Sequence, residues 1–186
     1  MEQDKLISAL EALLFTAGKP LGIGEIAELM VLEKPQVWQL VSSLEQRYQA
    51  PDRGLMLREV AGGFQLVTKP EHYELLTQLE QSKEIKLTNA ALETLAIVAF
   101  KQPVTRAEIE AIRGVKAERV VNTLLDLDLI NEVGRKKALG NPILYGTTEQ
   151  FLETFGLPSL EDLPQIQESA LEEEDELLYK EQPQED

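Results

Sequence analysis

The sequence predicts a mainly α fold with small β-hairpins, in which one supersecondary unit occurs twice and an acidic tail follows. Three observations predict it. Thr88 to Gly114 reads as an apolar helix, a Pro-containing turn and a capped second helix. A faded copy of that stretch lies near the N-terminus. Leu10, Glu11 and Leu13 align with Leu92, Glu93 and Leu95 at an offset of 82, and Pro20, Glu25, Ile26, Val37 and Leu44 with Pro103, Glu108, Ile109, Val120 and Leu127 at 83. Finally, the net charge of −15 is uneven: 8 basic face 13 acidic residues over 1–85, 9 face 9 over 86–160, and 1 faces 11 over 161–186. Three helices, a hairpin and a closing helix, repeated, are two winged-helix domains in tandem. The expected domains are 1–82 and 88–164, joined by a linker at 83–87 and followed by a disordered acidic tail at 165–186.

In the first domain, Leu6, Ile7, Leu10, Leu13, Leu14 and Ala17 recur at helical spacing, which predicts a helix over 4–17 ended by Gly18-Lys19-Pro20. Ile23, Ile26, Ala27 and Leu29 predict a short second helix, weakly started because Gly22 and Gly24 stand in its first turn. Lys34-Pro35 opens a third, with Val37, Leu40, Val41, Leu44 and Tyr48 on one face. Leu55–Val60 and Phe64–Val67 predict two strands joined at Gly62-Gly63, and Pro70 begins a closing helix through Tyr73, Leu76 and Leu79. Glu59-Val60 aligns with Glu132-Val133, and Leu66 and Tyr73 with Leu144 and Phe151.

In the second domain the first helix is apolar around nearly its whole circumference. Gln102-Pro103 stops it, since proline lacks an N–H and disfavours a helical residue before it. Thr105 and Glu108 have the spacing of a capping box, and Gly114 supplies the stop of the second helix. A third helix is predicted over Lys116–Asp128, strands over Ile130–Arg135 and Pro142–Thr147, and a capping box of Thr147 with Gln150 for the closing helix.

Composition excludes several function classes. With no cysteine there is no disulfide framework, thiolate metal site or thiol nucleophile, and the lone His72 cannot build a histidine-rich site. The acidic N-terminus is unlike a signal peptide and no apolar run has the length of a membrane span, so the chain is expected to be cytoplasmic. Glu108 and Glu110 fall on different sides of their helix, and the glycines near 134–146 lack the strand-then-helix context of a phosphate loop. No enzyme site, cofactor or metal is expected.

Binding surfaces remain. The third helices, where a winged helix reads DNA, expose Gln36, Gln39, Ser42, Ser43, Glu45 and Gln46 in one domain and a mixed-sign set in the other. Arg135, Lys136 and Lys137 at the second wing tip form the one concentrated basic patch and are the candidate nucleic-acid contact. The apolar surplus is the stronger signal. Leu92, Ile97 and Phe100 are candidate partner-binding residues, and Leu6, Ile7, Leu10 and Leu14 a candidate homodimer interface. Burial of these surfaces by the two domains against each other stands beside burial by a second copy or partner.

Ala91–Val115 and Leu129–Pro164, and at lower density Glu11–Leu21 with Gly62–His72, resemble the segregation and condensation protein B family. The resemblance implies two winged helices in a homodimer that grips a kleisin, segregation and condensation protein A, and through it joins the structural-maintenance-of-chromosomes ATPase without hydrolysing ATP. A nucleoid-associated role in chromosome segregation follows from it; a winged-helix transcription regulator is the alternative. One departure stands out: Asn141 occupies the position before Pro142 where the family carries arginine, which removes a positive charge from the wing.

Overall fold

The computed structural model describes residues 2–78 and 87–164. The linker expected at 83–87, apart from Leu87, and the acidic tail lie outside the described residues. What is described is mainly helical with small antiparallel sheets, gathered around two apolar cores, one in each half.

In the N-terminal half, α1 (Glu2–Ala17), α2 (Ile23–Met30) and α3 (Lys34–Tyr48) precede the hairpin of β1 (Leu55–Val60) and β2 (Gly63–Thr68). Ile7, Leu10 and Leu14 meet Ile26, Val37, Leu40 and Leu44, and Leu57 and Phe64 close the core from the hairpin. Tyr48 donates its hydroxyl hydrogen to Glu11 Oε1 at 2.7 Å, and Arg47 pairs with Asp4, so α3 is tied to α1 by polar links as well as packing. Burial, and then the bond to the Glu11 carboxylate, pushes the Tyr48 phenol up to about 12.

The hairpin register pairs Val60 with Gly63, so the turn residues are Ala61 and Gly62 (φ 49° and 69°), one position earlier than the expected Gly62-Gly63. Gly63 answers a different need. Leu21 forms an isolated bridge with Phe64, and a Cβ on Gly63 would lie 2.7 Å from the Leu21 carbonyl carbon.

After a 3-10 turn at Pro70–His72 and the single-turn helix α4 (Tyr73–Leu76), the C-terminal half repeats the plan. It runs α5 (Asn89–Lys101), β3 (Val104–Thr105), α6 (Arg106–Arg113), α7 (Glu118–Asp126), β4 (Ile130–Arg135), β5 (Ile143–Thr147) and α8 (Glu149–Phe155). The strands form a sheet in the order β3-β5-β4. β3 escapes sequence reading because two residues after a proline, the second of them the cap of α6, show no period. Its counterpart in the first half is the Leu21 bridge.

Burial corrects the register of the repeat. Leu10 is wholly buried whereas Leu92 is 43% exposed, so an offset of 82 does not superpose equivalent positions in the first helices. An offset of 84 does: Ile7, Leu10 and Leu14 then face Ala91, Thr94 and Val98, all buried, and Val37 and Leu40 face Val121 and Leu124. The closing helices are not equivalent either. Phe151 is buried in α8, while Tyr73, in the much shorter α4, is 63% exposed. α8 is capped by Thr148, whose hydroxyl accepts from the Phe151 N–H, and not by Thr147 with Gln150.

The halves also touch. The tip of the first hairpin donates two backbone hydrogen bonds to the segment after α8, Ala61 N–H to the Leu157 oxygen at 2.9 Å and Gly62 N–H to the Pro158 oxygen at 2.8 Å. The inequality of the closing helices has a measurable consequence. Phe151→Ala removes a buried ring and is expected to lower stability by about 3–5 kcal/mol. Tyr73→Ala is expected to change it by less than about 0.5 kcal/mol. Urea unfolding of both variants checks this, and equal losses would restore the equivalence of α4 and α8.

Candidate functional site

α5 is the element on which the site is built. Thr88 starts it, its hydroxyl accepting from the Ala91 N–H. Gln102 ends it in an extended conformation and anchors the end to the sheet: its side-chain oxygen accepts from the Thr147 N–H at 2.8 Å, and its amide donates to the Thr147 hydroxyl at 3.0 Å. Held at both ends, α5 buries Ala91, Leu95, Val98 and Ala99 in the core, with Thr94 returning its hydroxyl to the Ala90 oxygen.

A second stripe of α5, with Leu92, Ala96 and Phe100, is left outside and forms one wall of an apolar groove of about 340 Å³. The opposite wall is Phe151 and Phe155 of α8, four residues apart, with ring centroids at 4.9 Å. Gly156 ends α8, and a 3-10 turn at Leu160–Asp162, capped by Ser159 against Asp162, brings Leu163 and Pro164 to the lip beside Leu157. The lining holds no charged side chain. A groove of this kind binds by excluding water from apolar surface and takes an apolar ridge such as one face of a helix.

Of the candidate partner-binding residues, the structure brings Leu92 and Phe100 to this groove. It does not bring Ile97, which is partly buried against the C-terminal core on another side of α5. Phe151, Phe155, Leu157, Leu163 and Pro164 were not candidates. The spacing of Phe151 and Phe155 after a threonine cap is the signal that could have found the second wall.

The candidate dimer residues need a larger correction. Ile7, Leu10 and Leu14 are 3%, 0% and 1% exposed, and Leu6 packs partly buried against the same core. The broad apolar stripe of α1 is consumed by α2, α3 and the hairpin, so none of the three buried residues can meet a second copy. The outward face of α1 carries Ser8, Ala12 and Phe15, with Phe15 at 73% exposure.

Arg135, Lys136 and Lys137 lie exposed at the tip of the β4–β5 hairpin, but two are engaged. Lys136 Nζ donates to Glu108 Oε1, and Arg135 Nη1 donates to the Asn141 oxygen at 3.1 Å. Asn141 has a left-handed φ of 44°, a conformation asparagine tolerates better than arginine. Glu108 also closes the expected capping box: its Oε2 accepts from the Thr105 N–H at 2.8 Å, while the Thr105 hydroxyl accepts from its own N–H. The hydrogen bond from Lys136, then those from Thr105, hold the Glu108 carboxyl down to about 2. His72 is half-buried beside Glu71 in the 3-10 turn. Among the described residues there is no group of three or more His, Cys, Asp or Glu placed to hold a metal, and no helix long and apolar enough to cross a membrane.

The family model of segregation and condensation complex subunit ScpB matches residues 8–166. The chain belongs to that family. A relative named segregation and condensation protein B from Symbiobacterium thermophilum is 51% identical over 158 residues, spanning 85% of this chain and 72% of its own length. Another of that name, from Moorella thermoacetica, is 47% identical over 171 residues, spanning 92% of this chain and 88% of its own length. Among solved structures, a dimer of the ScpB N-terminal domain complexed with a ScpA peptide is 31% identical; the match covers 43% of this chain and 100% of that one at a TM-score of 0.42, too low for its geometry to be carried over. The resemblance seen in Ala91–Val115 and Leu129–Pro164 is thereby borne out.

The electrostatics of Glu108 give a testable pH dependence. Its folded value of about 2 lies below the ordinary 4.5, so its stabilising contribution is complete above about pH 4.5 and is lost as pH falls through about 2. Glu108→Gln should therefore flatten the fall in unfolding midpoint across that window and leave its shape at neutral pH unchanged. A variant whose acid limb kept the parent slope would show that the box and the Lys136 contact do not couple to folding.

Proposed function

We propose that the two halves are winged-helix domains used to hold proteins, and that the chain serves as the non-enzymatic subunit that grips a kleisin in a bacterial chromosome segregation and condensation complex. Family membership supplies the complex. The observation that carries the mode of action is the uncharged groove between α5 and α8, walled by Leu92, Phe100 and Phe155, which remain partly open to water. An amphipathic helix of the kleisin, segregation and condensation protein A, inserting two or three apolar side chains would cover it, with the ATPase joined through that kleisin. A homodimer, cytoplasmic and associated with the nucleoid, completes the reading.

Direct DNA reading is disfavoured on physical grounds. Phosphate binding draws its strength from cations free to displace counterions, and Lys136 is already neutralised by Glu108. A transcription regulator would need a concentration of such cations on a third helix or wing. α3 presents none in its middle turns, α7 sets Arg119 between Glu118 and Asp126, and among the described residues Lys137 is left alone at the wing.

Two experiments test the reading. Burying one large apolar side chain contributes roughly 1.5–3 kcal/mol, so Leu92→Asp or Phe155→Asp should weaken capture of the cognate kleisin by at least about tenfold. Both side chains are exposed enough for the variants to fold, which circular dichroism and melting would verify. Neutralising Arg135, Lys136 and Lys137 should change affinity by less than about 1 kcal/mol per charge. Folded groove variants that capture the kleisin as well as the parent would move the grip elsewhere.

Self-association is the second test. We propose that the outward face of α1 at Ser8, Ala12 and Phe15 supplies the homodimer contact. Phe15→Asp in the full chain should then sediment as a monomer at concentrations where the parent is a dimer. A variant that remains dimeric would assign the contact to another surface.

A further inference from the structure

α3 carries a face that its own core uses only in part. Trp38, Val41, Ser42 and Glu45 follow one another at three- and four-residue spacing and so form a stripe along the helix. Against it lies the side of the β1–β2 hairpin bearing Leu57, Glu59 and Phe64, with Glu59 and Phe64 directly paired across the strands. The two surfaces enclose a cleft of about 310 Å³. Val41, Leu57 and Phe64 make a buried apolar floor. Trp38 stands over it, its ring meeting Phe64 edge-on at 5.5 Å and 87°, with half of its surface left in water.

The rim has one sign of charge. Glu45 rises from α3 and Glu59 from β1, both exposed, and among the described residues no hydrogen bond or ion pair holds either carboxylate. The neighbouring Ser42 hydroxyl is exposed as well. An aromatic face, an apolar floor and two unengaged carboxylates are complementary to one type of guest. An indole attracts a cation placed over its ring, and a guanidinium can donate to carboxylates while its methylene stem lies on apolar surface. Phosphate is the wrong guest, since neither carboxylate is compensated by a base.

We propose that this cleft docks a basic side chain of a partner polypeptide, preferably an arginine flanked by apolar residues. The inference is independent of the groove on α5 and concerns the other half of the chain. It also gives a role to the helix that would enter the DNA groove in a nucleic-acid-binding winged helix: here that helix, with the hairpin, presents a receptor for a positively charged peptide.

Trp38 is the sole tryptophan of the chain, so its emission reports from the cleft itself. The full chain would be titrated to millimolar concentration with a capped five-residue peptide carrying one arginine between leucines. The same peptide with glutamine for arginine, and a short DNA duplex, serve as comparisons. The expected result is a saturable change in emission with the arginine peptide, weakened as salt rises. Affinity should fall at least about tenfold with the glutamine peptide, and by a similar factor in the Glu45→Gln, Glu59→Gln double variant, whose exposed substitutions leave the fold intact by circular dichroism. Absence of a saturable change, or equal response to both peptides, would overturn the proposal. So would binding undiminished in the double variant. A saturable response to the duplex that strengthens in the double variant would assign the cleft to nucleic acid instead.

Discussion

A helix of 13 residues turns one stripe toward a core as small as that of the C-terminal half, and α5 carries two. That excess of apolar width governs what surrounds it. Leu95, Val98 and Ala99 satisfy the core, while Leu92 and Phe100 on the second stripe stay 43% and 39% exposed. α8 goes part of the way: it buries Phe151 at the foot of the second stripe and leaves Phe155 at the rim. The groove is thus the residue of an unequal division of one helix surface, held open by the Thr88 cap at one end and the Gln102–Thr147 bonds at the other. In the N-terminal half the division comes out differently. The α1 stripe is almost wholly consumed, and the spare surface appears on α3 around Trp38.

Much of this fold was legible in the sequence wherever a local interaction decides the outcome. The Thr105–Glu108 box, the stop at Gly114, the proline entry of α3 and the strand Ile130–Arg135 all depend on residues within a few positions of one another. What was not legible depends on phase. Reading the repeat at an offset of 82 rotates α5 by two residues against α1 and equates buried Leu10 with exposed Leu92. Pattern alone resists that correction because the position truly equivalent to Leu10 is Thr94, whose buried hydroxyl is satisfied by the helix itself. The same cause makes Ile97 a candidate for a partner and Ile7, Leu10 and Leu14 candidates for a dimer contact, although their side chains pack on the cores. On a helix apolar all round, sequence identifies the surplus but not the direction in which it points. The threonine pair at 147–148 shows the limit at its smallest: one residue bonds Gln102 and its neighbour caps α8.

Charge placement is consistent with surfaces made for protein. The basic wing is partly spent inside the molecule, since Lys136 secures the Glu108 end of α6 and Arg135 steadies the loop at Asn141. The carboxylates of Glu45 and Glu59, by contrast, have no such internal duty. Two of the exposed wing cations are engaged within the molecule while anions are left unengaged at the rim of an aromatic cleft, a distribution that weakens attraction for a polyanion.

Two hydrogen bonds between the halves are made by main chain on both sides, Ala61 and Gly62 amides on Leu157 and Pro158 carbonyls, and the Arg58 side chain packs beside them against Gly156. Each such bond contributes about 0.5–1.5 kcal/mol net, so the pair acts as a light clasp and not a weld. No side chain takes part in the bonds themselves; they depend on the left-handed backbone at Ala61 and Gly62 that aims the two amides, and proline at either position would remove a donor. Leu157, whose carbonyl takes one of these bonds, also lines the α5–α8 groove with its side chain. A single residue thus serves as both hook and wall, its main chain belonging to one contact and its side chain to the other.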